Sequence, residues 1–201
     1  MMSFLENKYC VVKKALSEET CTIATKYALL KKQVEFAPEN IENREKTHAV
    51  YSDSLMESIL WALHPKIESV TNLTLFPTYS FYRVYNPGDS LEIHTDRQEC
   101  EISATLCVGA KYITQTPDYN WSMYVKSPAG QIEQPRCLPG DMVVYRGIDI
   151  EHWREPFVAE EGSYQVQVFL HYVDANGSLK HLKYDRRPGL GLPITSRINP
   201  Q

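Results

Sequence analysis

Three side chains have the types and spacing of a metal site. His94 and Asp96 form a His-x-Asp motif, and His152 lies far downstream. Two imidazoles and one carboxylate are the facial ligand set of non-haem Fe(II) oxygenases, because three protein ligands on one face leave the opposite face of the ion open. An ion held in this way can bind a bidentate cosubstrate and O2 together. The motif therefore predicts oxygenase chemistry.

These ligands must be brought together by neighbouring strands. Residues two apart project from the same face of a strand, so His94 and Asp96 can reach one ion. His152 must then lie on an adjacent strand, and residues 140–145 before it have the turn-then-β composition that such a region needs. By itself a His-x-Asp pair is a weak signal, since a lone His is more often a surface or core residue than a ligand.

The part of the chain that carries these residues has the residue pattern of an antiparallel β-protein. From Leu73 onward, short runs of Tyr, Phe, Val, Ile and Thr alternate with turn signals at residues 86–89, 128–130 and 139–141. Many short strands joined by turns predict a jelly-roll barrel. The open mouth of such a barrel is a natural place for a metal and a ligand.

The first third of the chain is predicted to be mainly helical. Residues 9–12 look like a short strand, and Ser17 is in position to cap a helix. The apolar face of that helix is predicted from residues at helical spacing, namely Ile23, Tyr27, Leu30 and Val34. A second helix is predicted to begin near Ser54, with Glu57 in capping-box position, and to be disrupted at Pro65. Residues 37–50 are polar and predict a loop.

Composition excludes several classes of protein. With 201 residues, 43% of them hydrophobic, the chain can bury one sizeable core. The net charge is -4 and no long block of like charges occurs, so nucleic acid is not an expected partner. The N-terminus lacks an apolar stretch behind a basic start, and no run is long enough to span a membrane, so we expect a soluble, cytoplasmic protein. Five irregularly spaced cysteines favour neither a disulfide framework nor a zinc cluster.

Three segments in a fixed order resemble a known family. They are residues 82–96 (YRVYNPGDSLEIHTD), residues 138–145 (LPGDMVVY) and residues 152–157 (HWREPF). Together they resemble the 2-oxoglutarate and Fe(II)-dependent dioxygenase superfamily, and within it the prolyl 4-hydroxylase-like branch. The resemblance covers roughly residues 75–175, and its specificity lies in the joint pattern of the three segments.

The resemblance implies a fold, a ligand set and cofactors. It implies a mostly β protein with N-terminal helices, folded as one oxygenase domain over residues 1–201. Within that domain we expect supporting helices in residues 1–72, a double-stranded β-helix core in 73–176 and a C-terminal tail in 177–201. It also implies that His94, Asp96 and His152 bind Fe(II), that 2-oxoglutarate is the cosubstrate and that O2 is consumed. Ascorbate is a candidate addition to these cofactors.

The sequence departs from the family at the group that holds the cosubstrate. Most members carry an Arg or Lys about ten residues after the second His, where it pairs with the C5 carboxylate of 2-oxoglutarate. Here no Lys or Arg occurs between Arg154 and Lys180. Strand alternation puts Gln165 on the inward face, where an amide can donate to the carboxylate but cannot neutralise it. We therefore expect Arg83 or Arg154 to supply the charge, and Tyr85 matches a tyrosine that family members direct toward the cosubstrate.

The same inward face is predicted to include Ser163, Gln167, Phe169 and His171. His171 is more readily explained as a satisfied core histidine than as a ligand.

The substrate is predicted by analogy alone. The resemblance implies hydroxylation of a C–H bond coupled to conversion of 2-oxoglutarate to succinate and CO2, with peptidyl proline as the first choice of substrate. A free amino acid or other small molecule is one alternative, and a jelly-roll binding module without catalysis is another. Residues 111–122 form a candidate lid. Aromatic residues that could wall a peptide groove are Tyr112, Tyr119, Trp121, Tyr124 and Trp153.

Overall fold

The computed structural model describes residues 4–35 and 47–193 as two facing antiparallel sheets with helices against one of them. The helices are α1 (Phe4–Asn7), α2 (Glu18–Glu35) and α3 (Ser54–Thr71), with 3₁₀ segments at Gln98–Cys100 and Lys180–Arg186. The strands are β1 (Tyr9–Val12), β2 (His48–Tyr51), β3 (Leu75–Tyr85), β4 (Leu91–His94), β5 (Ile102–Lys111), β6 (Tyr124–Lys126), β7 (Ile132–Glu133), β8 (Met142–Tyr145), β9 (His152–Arg154) and β10 (Tyr164–Asp174).

The two sheets form the predicted double-stranded β-helix. The major sheet has the strand order β1-β8-β5-β10-β3-β2, and the minor sheet has the order β4-β9-β6-β7. All strand pairs are antiparallel. The prediction of a mostly β jelly roll with N-terminal helices is confirmed. None of the helices in the described part combines the length and the apolarity that crossing a bilayer requires.

The major sheet separates the hydrophobic core from the barrel interior. One face of β3 and β10 packs against α3 through Tyr82, Val168 and Leu170, which meet Leu60 and Ile67. Burying each such aliphatic side chain contributes about 1.5–3 kcal/mol to stability. The opposite face points toward the minor sheet and carries Gln165, Gln167, Phe169 and His171, all of them buried. The predicted division of this strand into two faces is therefore observed.

The buried face of α2 differs from the predicted one. Ile23, Leu30 and Val34 are exposed, and the buried residues are Cys21, Ala24 and Ala28. The helix lies very close to β5, because the Thr25 hydroxyl donates to the Val108 carbonyl at 2.9 Å. A Cβ at Gly109 would lie 2.2 Å from that hydroxyl oxygen. So close an approach admits only small side chains, which is why the larger apolar residues turn outward.

Two predictions about α3 are corrected. The helix begins at Ser54 as expected, but its N-cap is Asp53, whose carboxylate accepts from the Leu55 backbone N–H at 3.0 Å. Glu57 does not complete a capping box. It pairs instead with Arg187 of the C-terminal segment, which comprises the described residues after β10 (175–193). The helix also continues through Pro65. Pro65 lies on the exposed side, where water can solvate the carbonyl that it leaves without a donor, so the break expected from proline does not occur.

The loop predicted for residues 37–50 is only partly described. Residues 37–46 lie outside the described residues. His48–Tyr51 forms β2 and pairs with β3 at the edge of the major sheet, so the loop prediction is wrong there. A polar segment adopts an extended form at this position because β3 offers it an unpaired edge.

Candidate metal centre

The three predicted ligands meet at one end of the barrel. His94 on β4 is paired with His152 on β9, and their ring centroids are 4.3 Å apart. The predicted neighbouring strand for His152 is thus observed. Asp96 follows β4, and its Oδ1 lies 3.6 Å from Nε2 of His94 and 3.5 Å from Nε2 of His152. The ligand atoms lie within 4.8 Å of one another, so the group could hold a metal ion.

Backbone carbonyls select the nitrogen that each histidine presents. Nδ1–H of His94 donates to the Glu92 carbonyl at 2.8 Å, and Nδ1–H of His152 donates to the Ile150 carbonyl at 2.9 Å. In the neutral tautomer with the proton on Nδ1, each ring presents the lone pair of Nε2 toward Asp96. Second hydrogen bonds of this kind fix the tautomer and ring orientation in metal-binding histidines.

Asp96 is oriented by its own partners. Its Oδ2 accepts from the Ser103 hydroxyl at 2.7 Å, which leaves Oδ1 facing the histidines. A Cβ at Gly147 would lie 2.3 Å from Oδ2, so no larger residue fits beside the carboxylate. Burial acts to raise the pKa of Asp96, but the adjacent imidazoles of His152 and His94 outweigh it and hold that pKa well below its usual range. The carboxylate is therefore anionic.

Ser103 links the carboxylate to a buried histidine. Its hydroxyl oxygen lies 2.9 Å from Nδ1 of His171. Since the single hydroxyl proton goes to Asp96, Nδ1–H of His171 donates to Ser103. Burial lowers the pKa of His171 to about 4, although the charge of Asp96 opposes the shift, so this ring is neutral near pH 7. Asp96, Cys100 and His171 form a second group close enough to hold an ion, but Asp96 belongs to both groups.

Sequence reasoning missed Ser103 and Gly147. Ser103, Thr105 and Cys107 alternate with apolar residues along β5, and that polar alternation in an otherwise hydrophobic strand was the available signal for an inward face. Nothing local distinguishes Gly147, because its role depends on where Asp96 lies.

A cavity of about 280 Å³ opens beside the three ligands. Arg83 and Tyr85, two of the predicted cosubstrate residues, line it together with the ligands. The rest of its wall is largely aromatic and apolar: Tyr79, Phe81, Leu91, Thr95, Arg97, Cys100, Tyr145, Phe169 and His171.

The other two predicted cosubstrate residues lie deeper, behind Tyr85. Arg154 is 2% exposed, and its guanidinium carbon is 5.7 Å from the Tyr85 ring centroid and 4.9 Å from that of Trp121. Its Nη1 donates to the Trp121 carbonyl at 2.7 Å. Gln165 donates to the same carbonyl at 3.2 Å and accepts from the Tyr112 hydroxyl. The four residues therefore lie along one side of the barrel interior, two at the cavity and two behind it.

Several buried polar atoms in this region have no hydrogen-bond partner among the residues that the structure describes. They are the Tyr85 hydroxyl, Nε of Arg154 and Oε1 of Gln167. A buried donor or acceptor without a partner costs about 1–3 kcal/mol, and the cost is larger for a charged group. The interior beside Arg154 thus has the character of a site for a polar ligand.

The aromatic residues proposed as groove walls lie elsewhere. None of the five lines the cavity beside the ligands. Trp121 is buried and stacks on Phe157 at 4.9 Å, and Tyr112 and Tyr119 pack into the same cluster. Tyr124 stacks on Trp153 at 5.3 Å, away from that cavity. Residues 111–122 are not uniformly exposed either, since Trp121 and Ser122 are buried.

Solved structures of a prolyl-4-hydroxylase and of alpha ketoglutarate dependent enzymes have a similar fold. A prolyl-4-hydroxylase from Pseudomonas putida matches 84% of this chain and 94% of its own, with a TM-score of 0.61 and 15% sequence identity. This chain has the fold of the 2-oxoglutarate and Fe(II)-dependent dioxygenases. No family model matches the sequence, and no curated protein sequence matches it.

Other structures with the dioxygenase fold belong to small-molecule metabolism. SnoK, a non-heme alpha ketoglutarate dependent carbocyclase from nogalamycin biosynthesis, matches 86% of this chain and 81% of its own, with a TM-score of 0.65 and 15% identity. EctD from S. alaskensis, solved with 2-oxoglutarate and 5-hydroxyectoine, matches 86% of this chain and 74% of its own, with a TM-score of 0.64 and 13% identity. The dioxygenase fold alone therefore does not separate a peptide from a small molecule as substrate.

Proposed function

We propose that this protein is an Fe(II)- and 2-oxoglutarate-dependent dioxygenase that hydroxylates a C–H bond, with peptidyl proline as the proposed substrate. The observation that carries the proposal is the direction of the three ligand groups. Nε2 of His94 and Nε2 of His152 both face Oδ1 of Asp96, while Nδ1 of each ring and Oδ2 of the carboxylate are hydrogen-bonded to other groups of the protein.

The donor set fits iron. Two neutral imidazoles and one carboxylate are suited to Fe(II), and three protein ligands leave positions for a cosubstrate and O2. When bound, the metal and 2-oxoglutarate would supply the O2-dependent oxidation, giving succinate, CO2 and a hydroxylated product. The protein positions the ligands through Ser103 and the two backbone carbonyls, and the aromatic wall limits water at the site. Ascorbate remains a predicted addition to these cofactors.

Arg154 is our candidate for the cosubstrate anchor. Among the described residues no acidic side chain pairs with this buried guanidinium, and a buried charge without a counter-ion is costly. A carboxylate beside it would supply the missing charge and accept from Nε. The unpartnered Tyr85 hydroxyl can donate to the same group. Gln165 hydrogen-bonds to Trp121 and Tyr112 beside the site, and its donation to the C5 carboxylate stays a prediction. The C5 carboxylate of 2-oxoglutarate meets these requirements.

Replacing Arg154 with Gln should weaken the binding of 2-oxoglutarate. Loss of one charge-assisted contact costs roughly 1.5–3 kcal/mol, which raises the KM for 2-oxoglutarate by about 10- to 150-fold. Succinate formation at varied 2-oxoglutarate measures the effect, and intrinsic fluorescence gives the dissociation constant independently. Arg154→Lys should recover part of the affinity, and Arg136→Gln, at an exposed arginine, should change neither quantity. An unchanged KM in folded Arg154→Gln would remove Arg154 from the site.

One observation favours a second candidate substrate. The cavity beside the ligands is compact, and the aromatic residues expected to grip an extended peptide lie outside it. A free amino acid or another small molecule therefore becomes the alternative to peptidyl proline. A third reading, a binding module that has lost the chemistry, predicts no turnover of 2-oxoglutarate.

Product analysis separates these readings. We expect Fe(II)-dependent formation of succinate from 2-oxoglutarate, which distinguishes an enzyme from a binding module. A true substrate should raise that rate above the uncoupled rate and gain one oxygen atom by mass spectrometry. Proline-containing peptides should do so if the peptide proposal is correct. Stimulation by free amino acids and by no peptide would replace that proposal with the small-molecule one.

A further inference from the structure

We propose that Arg83 binds a carboxylate of the primary substrate and is a specificity-determining residue of this site. The inference rests on the proposed function, because it takes Arg154 as the partner of the cosubstrate. It assigns the substrate to a chemical class, namely molecules with a carboxylate near the C–H bond that is oxidised.

Arg83 differs from most arginines of the described residues in having no acidic partner. Five others pair with Asp or Glu: Arg97, Arg136, Arg146, Arg186 and Arg187. Arg83 and Arg154 form no such pair, and both project into the barrel interior. Arg83 is half-buried, lines the cavity, and lies over the rings of Phe81 and Tyr85 at 5.4 Å and 5.9 Å. Those rings restrict the guanidinium on one side, and the residue borders the cavity.

The charges around the site leave Arg83 without a counter-ion even when both cofactors are bound. With both cofactors bound, Asp96 and one carboxylate of 2-oxoglutarate would offset the two positive charges of Fe(II). The second carboxylate of 2-oxoglutarate would offset Arg154. Arg97, the other arginine at the cavity, is paired with the buried Asp185 at 2.8 Å. One positive charge would therefore remain at a half-buried position on the cavity wall, where it would attract an anion.

Arg83 also lies close to the place where chemistry would occur. Arg83 lines the same cavity as His94, Asp96 and His152. Its guanidinium therefore borders the space beside the proposed iron. A guanidinium forms two parallel hydrogen bonds with a carboxylate and so fixes its orientation. A substrate held in this way presents a defined C–H bond to the centre.

Equilibrium binding without turnover tests the proposal. The protein is loaded with Mn(II) and 2-oxoglutarate under anaerobic conditions and titrated calorimetrically with matched probes. One arm uses the proteinogenic L-amino acids and their amides, and the other uses proline peptides that carry Glu or the neutral Gln beside proline. These arms distinguish a free α-carboxylate from an acidic side chain. We expect at least one carboxylate probe to bind about 10- to 100-fold more tightly than its neutral counterpart.

Variants assign that preference to Arg83. Arg83→Gln should abolish the preference for the carboxylate, Arg83→Lys should retain part of it, and the exposed-site control Arg136→Gln should retain all of it. The affinity for 2-oxoglutarate should stay within about threefold of wild type in Arg83→Gln, because Arg154 is unchanged. Circular dichroism confirms that each variant is folded.

Three results would overturn the proposal. One is the absence of any carboxylate preference across both arms. Another is a preference that survives Arg83→Gln. The last is a loss of 2-oxoglutarate affinity in Arg83→Gln as large as that in Arg154→Gln, which would assign Arg83 to the cosubstrate. Failure of the wild-type protein to bind 2-oxoglutarate in the presence of metal would instead contradict the proposed function itself.

Discussion

Asp96→Ala is expected to abolish metal binding and reduce Fe(II)-dependent succinate formation to background, while the protein stays folded. The carboxylate is the only anionic group of the three ligands, and its Oδ1 faces both histidine nitrogens. Without it, the two neutral imidazoles hold a divalent cation with no compensating charge. Calorimetric titration with Mn(II) measures the loss of metal affinity, and succinate analysis measures the loss of turnover.

The fold should tolerate this substitution. Asp96 lies at a barrel mouth, and its backbone N–H donates to the Gly147 carbonyl at 2.8 Å, a bond that does not involve the side chain. The matched control is Asp118→Ala, at an aspartate whose side chain is 93% exposed, and it should leave metal binding and turnover unchanged. If Asp96→Ala retains wild-type activity, the metal centre has been assigned to the wrong residues.

The positions of the proposed metal ligands could be predicted from the sequence because they depend on short-range rules. His94 and Asp96 share a side of the chain through their spacing of two residues. The inward face of β10, with Gln165 and His171, follows from the same alternation. His152 was placed by the order of three motifs, and its pairing with His94 across two strands agrees with that expectation.

The distinction between the two candidate arginines could not be drawn from sequence. Arg83 and Arg154 are both on strands that border the barrel interior, so strand alternation predicts an inward side chain for each of them. What separates them is burial: Arg154 is enclosed by Trp121 and Tyr85, whereas Arg83 stays accessible at the cavity. Burial depends on how a loop residue such as Trp121 packs, and that packing is a property of the complete fold.

The errors in the helical region have the same origin. The spacing of Ile23, Leu30 and Val34 predicts one face of α2, but the close approach of Thr25 to Gly109 selects the small-residue face instead. The spacing of apolar residues shows which faces a helix could bury. The shape of the surface that the helix packs against determines which of those faces is buried. Glu57 is a further case, since its partner Arg187 lies 130 residues away.

Removing the charge of Glu57 is expected to produce the largest loss of stability among single substitutions outside the hydrophobic core. Its Oε1 accepts from Nη2 of Arg187 at 2.6 Å and from the Ser52 hydroxyl at 2.7 Å. The Arg187 side chain is 0% exposed, and it also donates to the Thr78 carbonyl at 2.8 Å. Glu57→Gln leaves this guanidinium buried without a counter-ion, which should cost about 3–5 kcal/mol.

Urea unfolding of matched variants measures this cost and its cause. Glu151→Gln is the control, because Glu151 pairs with Lys126 at a similar 2.7 Å but both side chains are nearly half exposed, and it should cost less than about 1 kcal/mol. Glu57→Gln combined with Arg187→Met should be more stable than Glu57→Gln alone, since the uncompensated charge is gone. A Glu57→Gln variant as stable as Glu151→Gln would show that the buried pair does not anchor the C-terminal segment to α3.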